Sequence, residues 1–314
     1  MVERLDIAII GGGPAGLAAG IYAARARLET ILFEEKLTGG MPAMTEIIEN
    51  YPGFPGGIGG AELVEKMREQ AASFDLRFST FNQVKGIERG DNVFILHTDE
   101  GDFTALGVVL ATGMHPAKLG IPGETELLGR GVSYCATCDG AFFKGKEVAV
   151  IGGGNSAVEE ALFLTRFASR VYIVHRRDCL RANRILQERA LSHPGVEVLW
   201  RSVPMEVKGE GGAVTSLKLK NLDDGSVSER PVQGVFFYVG SIPNTGPFEG
   251  FIDMDGDSFI TTDGSLKTSV EGIYAAGDVR SGSIKQVAAA VGEGVTALMH
   301  AQRYAEELKG TAYV

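Results

Sequence analysis

An apolar run near the start of the chain predicts a buried strand that leads into a helix. Residues 6–10 are mostly apolar, a glycine-rich turn follows at 11–16, and residues 17–27 have a helix-like pattern. A short apolar run bounded by glycine is typical of a strand in a parallel sheet. A second apolar run at 30–33 predicts the next strand, so this segment is expected to form a strand, helix, strand unit.

The same pattern returns in the middle of the chain. An apolar run leads into a glycine turn at 152–157 and then into a helix-like stretch at 158–167. The strands predicted in this region are 148–151, 170–174, 196–200, 216–221 and 234–239. Strands that alternate with helices favour sheets with helices packed on their faces. The sequence therefore predicts an α/β protein with two Rossmann-like, three-layer nucleotide-binding domains.

The C-terminal segment has no nucleotide-binding turn of its own. It contains a buried strand within 272–279 and an amphipathic helix from about Lys285 to Leu308, a segment that most economically completes the first unit. We therefore predict that residues 1–116 and 245–314 form one domain. Residues 117–244 then form a second domain that is inserted into the first.

Gly11, Gly13 and Gly16 occupy the three glycine positions of a dinucleotide-binding turn. The first glycine permits the tight turn, the second lets the backbone approach a pyrophosphate, and the third allows the helix to pack on the strand. The next strand ends in Glu34, at the distance where an acid binds the ribose hydroxyls. An acid at this position fits an unphosphorylated ribose, as in FAD or NAD.

The second turn has the same spacing in Gly152, Gly154 and Ala157, but the following strand ends differently. It leads into His175-Arg176-Arg177-Asp178, with Arg181 beyond. Guanidinium groups at this position fit a ribose 2′-phosphate. The pattern therefore favours NADPH over NADH, and the alternative is a solvated basic patch.

The composition narrows the class of protein. The 314 residues are 44% hydrophobic and 22% charged, with a net charge of -10, as in a globular protein of two ordinary domains. An acidic chain disfavours a general surface for nucleic acid or for anionic membranes. The sequence shows no apolar run near the roughly 18 residues of a membrane span and no secretory signal. With three cysteines, we expect a cytoplasmic protein.

Cys135 and Cys138 are separated by two residues, so their sulfurs can form a small disulfide ring or open to a dithiol. The same spacing occurs in zinc sites, which need four N or S ligands. Cys179 is the third cysteine, and the five histidines show no paired ligand spacing. Because the pair also lies shortly before the second nucleotide-binding turn, we predict a redox-active pair and no metal site.

Together these motifs resemble the bacterial low-molecular-weight thioredoxin reductases, which are pyridine nucleotide-disulfide oxidoreductases. The resemblance runs from end to end of the chain. It rests on Cys-Ala-Thr-Cys-Asp-Gly at 135–140, Gly-Gly-Gly-Asn-Ser-Ala-Val-Glu-Glu-Ala at 152–161, His-Arg-Arg-Asp at 175–178 and Ala-Ala-Gly-Asp-Val at 275–279, in the family's order and spacing. It implies a homodimer in which both chain ends form an FAD domain and the inserted NADPH domain carries the disulfide.

The resemblance also implies which residues bind the two cofactors. For FAD these are Gly11, Gly13, Pro14, Ala15, Gly16, Glu34, Gly39, Gly40, Met41, Asn50, Val84, Asp278, Lys285, Gln286, Val287 and Ala288. For NADPH they are Gly152, Gly154, Asn155, Ser156, His175, Arg176, Arg177 and Arg181. Two positions depart from the family: Met41 stands where glutamine is usual, and Lys285 where arginine is common. Both departures concern the surroundings of the flavin.

The implied reaction passes electrons from NADPH to FAD, then to a Cys135–Cys138 disulfide, and finally to oxidised thioredoxin. By resemblance, Cys138 lies against the flavin and Cys135 attacks the disulfide of the partner. Asp139 is expected to donate and accept the proton, because thiolates are the reacting species. The alternative for Asp139 is a turn or helix-capping role before Gly140.

Two other functions fit part of the same pattern. The protein partner could be glutaredoxin-like or a peroxiredoxin in place of thioredoxin, because partner choice depends on surface shape. A flavin-binding protein or disulfide sensor without turnover would leave the arginines and the second glycine turn unexplained. The sequence therefore favours an enzyme that reduces a protein disulfide.

Overall fold

The computed structural model describes residues 3–45 and 47–311, except for the side chain of Cys138. The chain divides into two compact units. We call Met1–His115 together with Ile242–Val314 the split unit, and Pro116–Ser241 the inserted unit. The predicted crossings, after residues 116 and 244, lie close to the observed ones after residues 115 and 241.

The described residues contain strands and helices in the following order. The strands are β1 (Glu3–Ile10), β2 (Thr30–Glu34), β3 (Arg77–Thr80), β4 (Val84–Arg89), β5 (Phe94–Thr98), β6 (Gly101–Leu110), β7 (Met114–Pro116), β8 (Val132–Ser133), β9 (Glu147–Gly152), β10 (Arg170–Val174), β11 (Val196–Leu199), β12 (Ser202–Glu210), β13 (Ala213–Asn221), β14 (Val227–Pro231), β15 (Gly234–Tyr238), β16 (Ser241–Pro243) and β17 (Ile273–Ala275). The α-helices are α1 (Pro14–Arg25), α2 (Gly60–Ala72), α3 (Ala136–Asp139), α4 (Asn155–Leu164), α5 (Arg184–Ser192) and α6 (Val287–Lys309).

A seven-stranded sheet forms the centre of the split unit. Its order is β3-β2-β1-β6-β5-β4, and β17 also pairs with β6. Strands β1, β2, β3, β6 and β17 are parallel, whereas β4 and β5 pair antiparallel. Helices α1 and α6 pack together over the core that contains Leu17 and Leu298, and a second core contains Phe33, Phe94 and Phe248. The C-terminal segment therefore completes the unit that the N-terminal segment begins.

A five-stranded parallel sheet forms the centre of the inserted unit, in the order β11-β10-β9-β15-β8. Helices α4 and α5 contribute Val158, Leu164 and Leu186 to one core. A three-stranded antiparallel sheet, β12-β13-β14, contributes Leu217 and Leu219 to another. This arrangement confirms the predicted fold class, two Rossmann-like three-layer domains with one inserted into the other.

The predicted bounds of the helices differ from the observed ones by up to three residues, and α4 (Asn155–Leu164) both begins and ends three residues before the predicted 158–167. Helix α1 begins at Pro14, three residues before the apolar pattern predicts. Proline suits the first helical position because a backbone N–H at that position would have no acceptor within the helix. Helix α6 begins at Val287, not at Lys285, whose φ of 59° lies outside the helical region. None of the described helices has the length and apolar character needed to cross a membrane.

Candidate active site

The first glycine turn joins the end of β1 to the start of α1. Gly11 has a φ of +106°, and a Cβ on this residue would overlap the carbonyl oxygen of Ala111. A Cβ on Gly16 would overlap the carbonyl oxygen of Gly11, so the helix lies directly against the turn. Both positions therefore require glycine for the reasons that the sequence pattern gives.

The carboxylate of Glu34 lies at this turn. Its Oε2 accepts a hydrogen bond of 2.7 Å from the backbone N–H of Gly12, and its Oε1 accepts one of 3.0 Å from Lys36. The strand order brings Glu34 there because β2 pairs in parallel with β1 and the two strands end together. An acid fixed beside the glycine turn is suited to accept hydrogen bonds from ribose hydroxyls.

The turn leaves room for a bulky ligand. The nearest atom to a Cβ on Gly13 is the Cα of Gly40, at 3.9 Å. Gly13 is the N-cap of α1, and no side chain caps this end of the helix. The first N–H groups of α1 are therefore available to an anion. The predicted residues Gly39 and Gly40 lie next to the same turn, because the N–H of Gly39 donates a hydrogen bond of 2.8 Å to the carbonyl of Gly12. These residues fit the diphosphate of a dinucleotide.

Asp278 lies in a short 3-10 helix, Gly277–Val279, directly after β17. It is half-buried, and Ser283 Oγ donates a hydrogen bond of 3.0 Å to its Oδ1. Burial raises the pKa of Asp278, with a smaller contribution from Glu293, while the Ser283 hydrogen bond and Lys285 act in the opposite direction. A partly buried carboxyl group with a raised pKa is suited to bond a hydroxyl or phosphate of a bound cofactor.

Glu293 of α6 fixes the turn that carries Asp278. Its Oε2 accepts hydrogen bonds of 2.8 Å from the N–H of Gly277 and from Nε of Arg280, and Oε1 accepts a further bond from Arg280. The side chains of Arg280 and Glu293 are only 18% and 14% exposed. The pair therefore connects α6 to the Gly277–Val279 turn in a partly dry environment.

Replacing Glu293 by glutamine is expected to lower the free energy of unfolding by about 2 kcal/mol, because a partly buried guanidinium loses its charged partner. The melting temperature should fall by about 5 °C. The matched control is Glu307→Gln in the same helix, whose ion pair with Arg303 at 3.1 Å is exposed and should contribute less than about 0.5 kcal/mol. Thermal unfolding of both variants tests this. Equal shifts would contradict a fixing role for Glu293.

The other predicted FAD residues occupy four places in the split unit. Asn50 Nδ2 donates a hydrogen bond of 2.8 Å to Oε1 of Gln286, the N-cap of α6, so these two lie together at the start of that helix with Val287 and Ala288. Lys285 Nζ lies over the ring of Phe259, 4.9 Å from its centroid. Met41 begins a short 3-10 helix, Met41–Met44, and Val84 is buried in the core with Phe33.

The second glycine turn lies at the end of β9 and resembles the first in geometry. Gly152 has a φ of +147°, and a Cβ on it would overlap the carbonyl oxygen of Tyr238. A Cβ on Gly154, the N-cap of α4, would have no neighbour within 4 Å. Ser156 is exposed in the first turn of α4. Asn155 Oδ1 accepts a hydrogen bond of 2.8 Å from the N–H of Asn183, which ties α4 to the start of α5.

The arginines predicted to bind a 2′-phosphate follow β10, and Arg176, Arg177 and Arg181 are all exposed. The backbone N–H of Arg181 bonds the carbonyl of Gly153 at 2.6 Å, which holds this loop beside the glycine turn. The neighbouring carboxylate of Asp178 pairs at 2.7 Å with Arg201. The loop that carries the three exposed arginines therefore lies beside the turn, where their side chains are available to an anion.

His175 precedes the arginines but is buried, with an exposed fraction of 4%. Burial lowers its pKa, and the charges of Arg181, Arg177 and Arg176 lower it further, while a hydrogen bond to the backbone of Cys179 acts in the opposite direction. The imidazole is therefore neutral at pH 7 and adds no charge to the arginine loop. Its Nε2 is buried without a hydrogen-bond partner.

Cys135 lies immediately before α3 and is disulfide-bonded. Its backbone N–H donates a bond of 3.0 Å to Ser133 Oγ, and the same hydroxyl donates one of 3.2 Å to the carbonyl of Cys135. The predicted pairing partner, the side chain of Cys138, lies outside the described residues. Cys179 is an exposed free thiol. Among the described side chains, no group of three or more His, Cys, Asp or Glu residues could hold a metal ion.

Asp139 ends α3 and precedes the 3-10 helix Gly140–Phe143. Its side chain makes no capping hydrogen bond to that helix, so the capping alternative has no support in the geometry. Its backbone N–H closes the turn by bonding the carbonyl of Cys135 at 3.2 Å. Asp139 therefore stays with the cysteines, and its carboxylate is not committed to a local cap.

Three residues that support these sites were missed by the sequence reasoning. Glu293 and Arg201 are described above. Glu124, which is 1% exposed, accepts hydrogen bonds from the N–H groups of Leu119 and Gly120 and from the hydroxyl of Tyr134, the last at 2.7 Å. Burial and this bond to Glu124 raise the pKa of Tyr134. The sequence gives no local indication that Glu124 is buried, because it is a charged residue in a segment that contains glycine and proline.

Comparison with known proteins agrees with this geometry. Residues 5–294 match the model of the family described as pyridine nucleotide-disulphide oxidoreductase. The thioredoxin reductase of Bacillus subtilis (strain 168) is 46% identical over 306 residues, which cover 98% of this chain and 96% of the relative. The crystal structure of Lactococcus lactis thioredoxin reductase has a TM-score of 0.94 at 43% identity and covers 96% of this chain and 99% of that one.

A more distant structure has a different electron donor in its name. The ferredoxin-flavin thioredoxin reductase of Clostridium acetobutylicum has a TM-score of 0.53 at 35% identity and covers 99% of this chain and 100% of that one. Fold and site together define an oxidoreductase with two dinucleotide-binding domains and a cysteine pair. The chain belongs to the pyridine nucleotide-disulphide oxidoreductase family.

Proposed function

We propose that this protein is an NADPH-dependent thioredoxin reductase that carries electrons through FAD and a Cys135–Cys138 disulfide to oxidised thioredoxin. The observation that carries the proposal is the pair of nucleotide turns with opposite charge beside them. Glu34 lies at the first turn, Arg181 is tied to the second, and the disulfide-bonded Cys135 lies in the unit of the second turn. A protein that binds one nucleotide, or that binds two without reducing a disulfide, would not require all three features.

The split unit is the proposed FAD domain. Its glycine turn would hold the diphosphate, Glu34 the adenosine ribose, and Asp278 the ribityl chain or phosphate. Gln286, Val287 and Ala288 would lie at the pyrimidine edge of the flavin, with Asn50 near the ring system. Met41 and Lys285 would lie near the same ring, at the positions where the family usually has glutamine and arginine.

The inserted unit is the proposed NADPH domain. Its glycine turn and α4 would hold the diphosphate, with Asn155 and Ser156 at the helix start. Arg176, Arg177 and Arg181 would bind the 2′-phosphate by charge-assisted hydrogen bonds. The neutral His175 would shape the pocket below them without adding charge.

When bound, FAD supplies the chemistry of accepting a hydride from NADPH and releasing two electrons to the disulfide. Reduction breaks the sulfur–sulfur bond and yields a dithiol after the uptake of two protons. The Cys135 thiolate then attacks the disulfide of thioredoxin and forms a mixed disulfide. Attack by Cys138 on Cys135 reforms the internal disulfide and releases the reduced partner. Asp139 holds and delivers the proton that these thiol steps require.

The protein is further proposed to act as a homodimer in the cytoplasm, with no nucleic-acid or membrane partner. The homodimer is what the resemblance to the family implies. The net charge of -10 argues against nucleic-acid and anionic-membrane partners, and the three cysteines suit a reducing compartment. The family's thioredoxin-linked members also favour thioredoxin over a glutaredoxin-like protein or a peroxiredoxin as partner. Sedimentation of the purified protein tests the dimer.

The direct test of function is a coupled assay with purified protein, NADPH and oxidised bacterial thioredoxin. We expect a yellow protein that oxidises NADPH rapidly when oxidised thioredoxin is added and slowly when no oxidant is added. Parallel reactions with a glutaredoxin-like protein and with a peroxiredoxin should be slower by at least about tenfold in kcat/KM. A colourless protein that does not take up FAD, or faster reduction of one of the other partners, would contradict the proposal.

A further inference from the structure

Tyr238, the last residue of β15, contacts the redox-active segment although about a hundred residues separate them in sequence. Its hydroxyl oxygen accepts a hydrogen bond of 2.9 Å from the backbone N–H of Ala136, the residue directly after Cys135. Ala136 is fully buried, and Tyr238 is half-buried. The contact lies wholly within the inserted unit.

The N–H of Ala136 needs a partner from outside α3. The first N–H groups of a helix have no acceptor within the helix, and a buried donor without a partner costs about 1–3 kcal/mol. The neighbouring N–H of Cys135 is bonded to Ser133, and the N–H of Asp139 is bonded to the carbonyl of Cys135. The Tyr238 hydroxyl supplies the acceptor for the donor between them.

Tyr238 is itself fixed by the sheet. It pairs with Gly152 in the parallel ladder between β15 and β9, at the end of both strands where the nucleotide turn begins. Strand β15 is also flanked by β8 on its other side. A hydroxyl on this strand therefore joins the rigid end of the sheet to the segment that carries the cysteines.

The charges around the hydroxyl keep it protonated. Burial raises the pKa of Tyr238, the carboxylates of Glu160 and Asp139 raise it further, and the bond from Ala136 acts in the opposite direction. A protonated hydroxyl can accept the N–H of Ala136 and still has its own proton to donate. Because the charge of Asp139 acts on the Tyr238 hydroxyl, Tyr238 lies near the proposed proton carrier.

We propose that Tyr238 is a positioning residue for disulfide exchange: its hydroxyl holds the Cys135–Ala136 peptide, and with it the Cys135 sulfur, in the geometry that electron transfer and attack on the partner require. The inference rests on the proposed function. It predicts that the hydroxyl matters for every step that passes through the disulfide, and not for NADPH oxidation that bypasses it.

The test compares Tyr238→Phe with Tyr172→Phe. Tyr172 lies in β10 of the same sheet, and its hydroxyl donates a bond of 2.7 Å to Glu147, so the control also loses one tyrosine hydrogen bond. Each variant is assayed with NADPH and thioredoxin, and separately with NADPH and ferricyanide, a small oxidant that takes electrons from the flavin directly. For Tyr238→Phe we expect kcat with thioredoxin to fall about tenfold, with the KM for thioredoxin and the ferricyanide rate within about twofold of wild type. Tyr172→Phe should change neither rate.

Amide hydrogen exchange provides a second measurement that does not depend on turnover. In the wild type, the N–H of Ala136 should be protected, and in Tyr238→Phe a peptide covering 133–143 should exchange faster. Unprotected exchange at Ala136 in the wild type would overturn the proposal even if the variant does not fold. A thioredoxin rate unchanged in Tyr238→Phe, or equal losses with both acceptors, would also overturn it. Failure of the proposed function is distinguishable, because wild-type protein would then not reduce thioredoxin.

Discussion

Replacing Cys135 by serine should abolish reduction of thioredoxin, with a loss of about a thousandfold or more in kcat/KM. A serine oxygen can neither form the internal disulfide nor attack the disulfide of a partner at a useful rate. Cys135 is the disulfide-bonded cysteine whose backbone is held on both sides by Ser133, so the substitution should remove the chemistry and leave the segment folded. Cys138→Ser should give a loss of the same size.

The matched control for both variants is Cys179→Ser. This substitution changes the same atom in an exposed free thiol, and turnover should stay within about twofold of wild type because an exposed side chain of this kind has little structural role. All three variants should still reduce ferricyanide with NADPH. Substantial thioredoxin reduction by Cys135→Ser or Cys138→Ser would refute the disulfide relay.

Replacing Arg176 and Arg177 together by alanine should lower kcat/KM for NADPH about a hundredfold, since two charge-assisted hydrogen bonds to a phosphate are lost. The value for NADH should change by less than about threefold, because NADH lacks the phosphate that these side chains bind. The effect should appear mainly in the KM for NADPH. Steady-state assays with both nucleotides at constant ionic strength measure it.

Arg27→Ala is the control for the loss of surface positive charge. Arg27 lies in the split unit, and its ion pair with Asp75 spans 3.7 Å between side chains that are 79% and 89% exposed. It should leave both nucleotides unaffected. If the Arg176 and Arg177 variant loses NADH activity to the same degree as NADPH activity, the arginines support the fold of the loop and do not select the cofactor.

The sequence predicted the parts of the fold and site that local patterns encode. The strand, glycine turn and helix pattern located both nucleotide turns, and the residue type at the end of the next strand distinguished Glu34 from Arg176. Glu34 lies beside the first glycine turn because parallel strands in one sheet end together, so a residue at a strand end lies near the turn of its neighbour. The cofactor roles of Glu34 and Arg176 stay predictions. The insertion of one domain into the other was predicted because the C-terminal segment has no glycine turn of the nucleotide-binding kind.

The missed features depend on contacts between residues that are distant in sequence. Tyr238 reads as one more apolar residue of a buried strand, and nothing local indicates that its hydroxyl meets Ala136. Arg201 has a φ of 46° between β11 and β12, and its partner Asp178 lies 23 positions earlier. Helix starts were also displaced, as at Pro14 and Val287, because caps and backbone angles decide them and apolar periodicity does not.

The division of the split unit between both chain ends has a consequence for synthesis on the ribosome. Strand β17 pairs with β6 and helix α6 packs on α1, and both are translated after the whole of the inserted unit. Residues 116–241 are contiguous and can collapse earlier, while β6 still lacks a neighbour. The inserted unit can therefore fold on the ribosome before the split unit is complete.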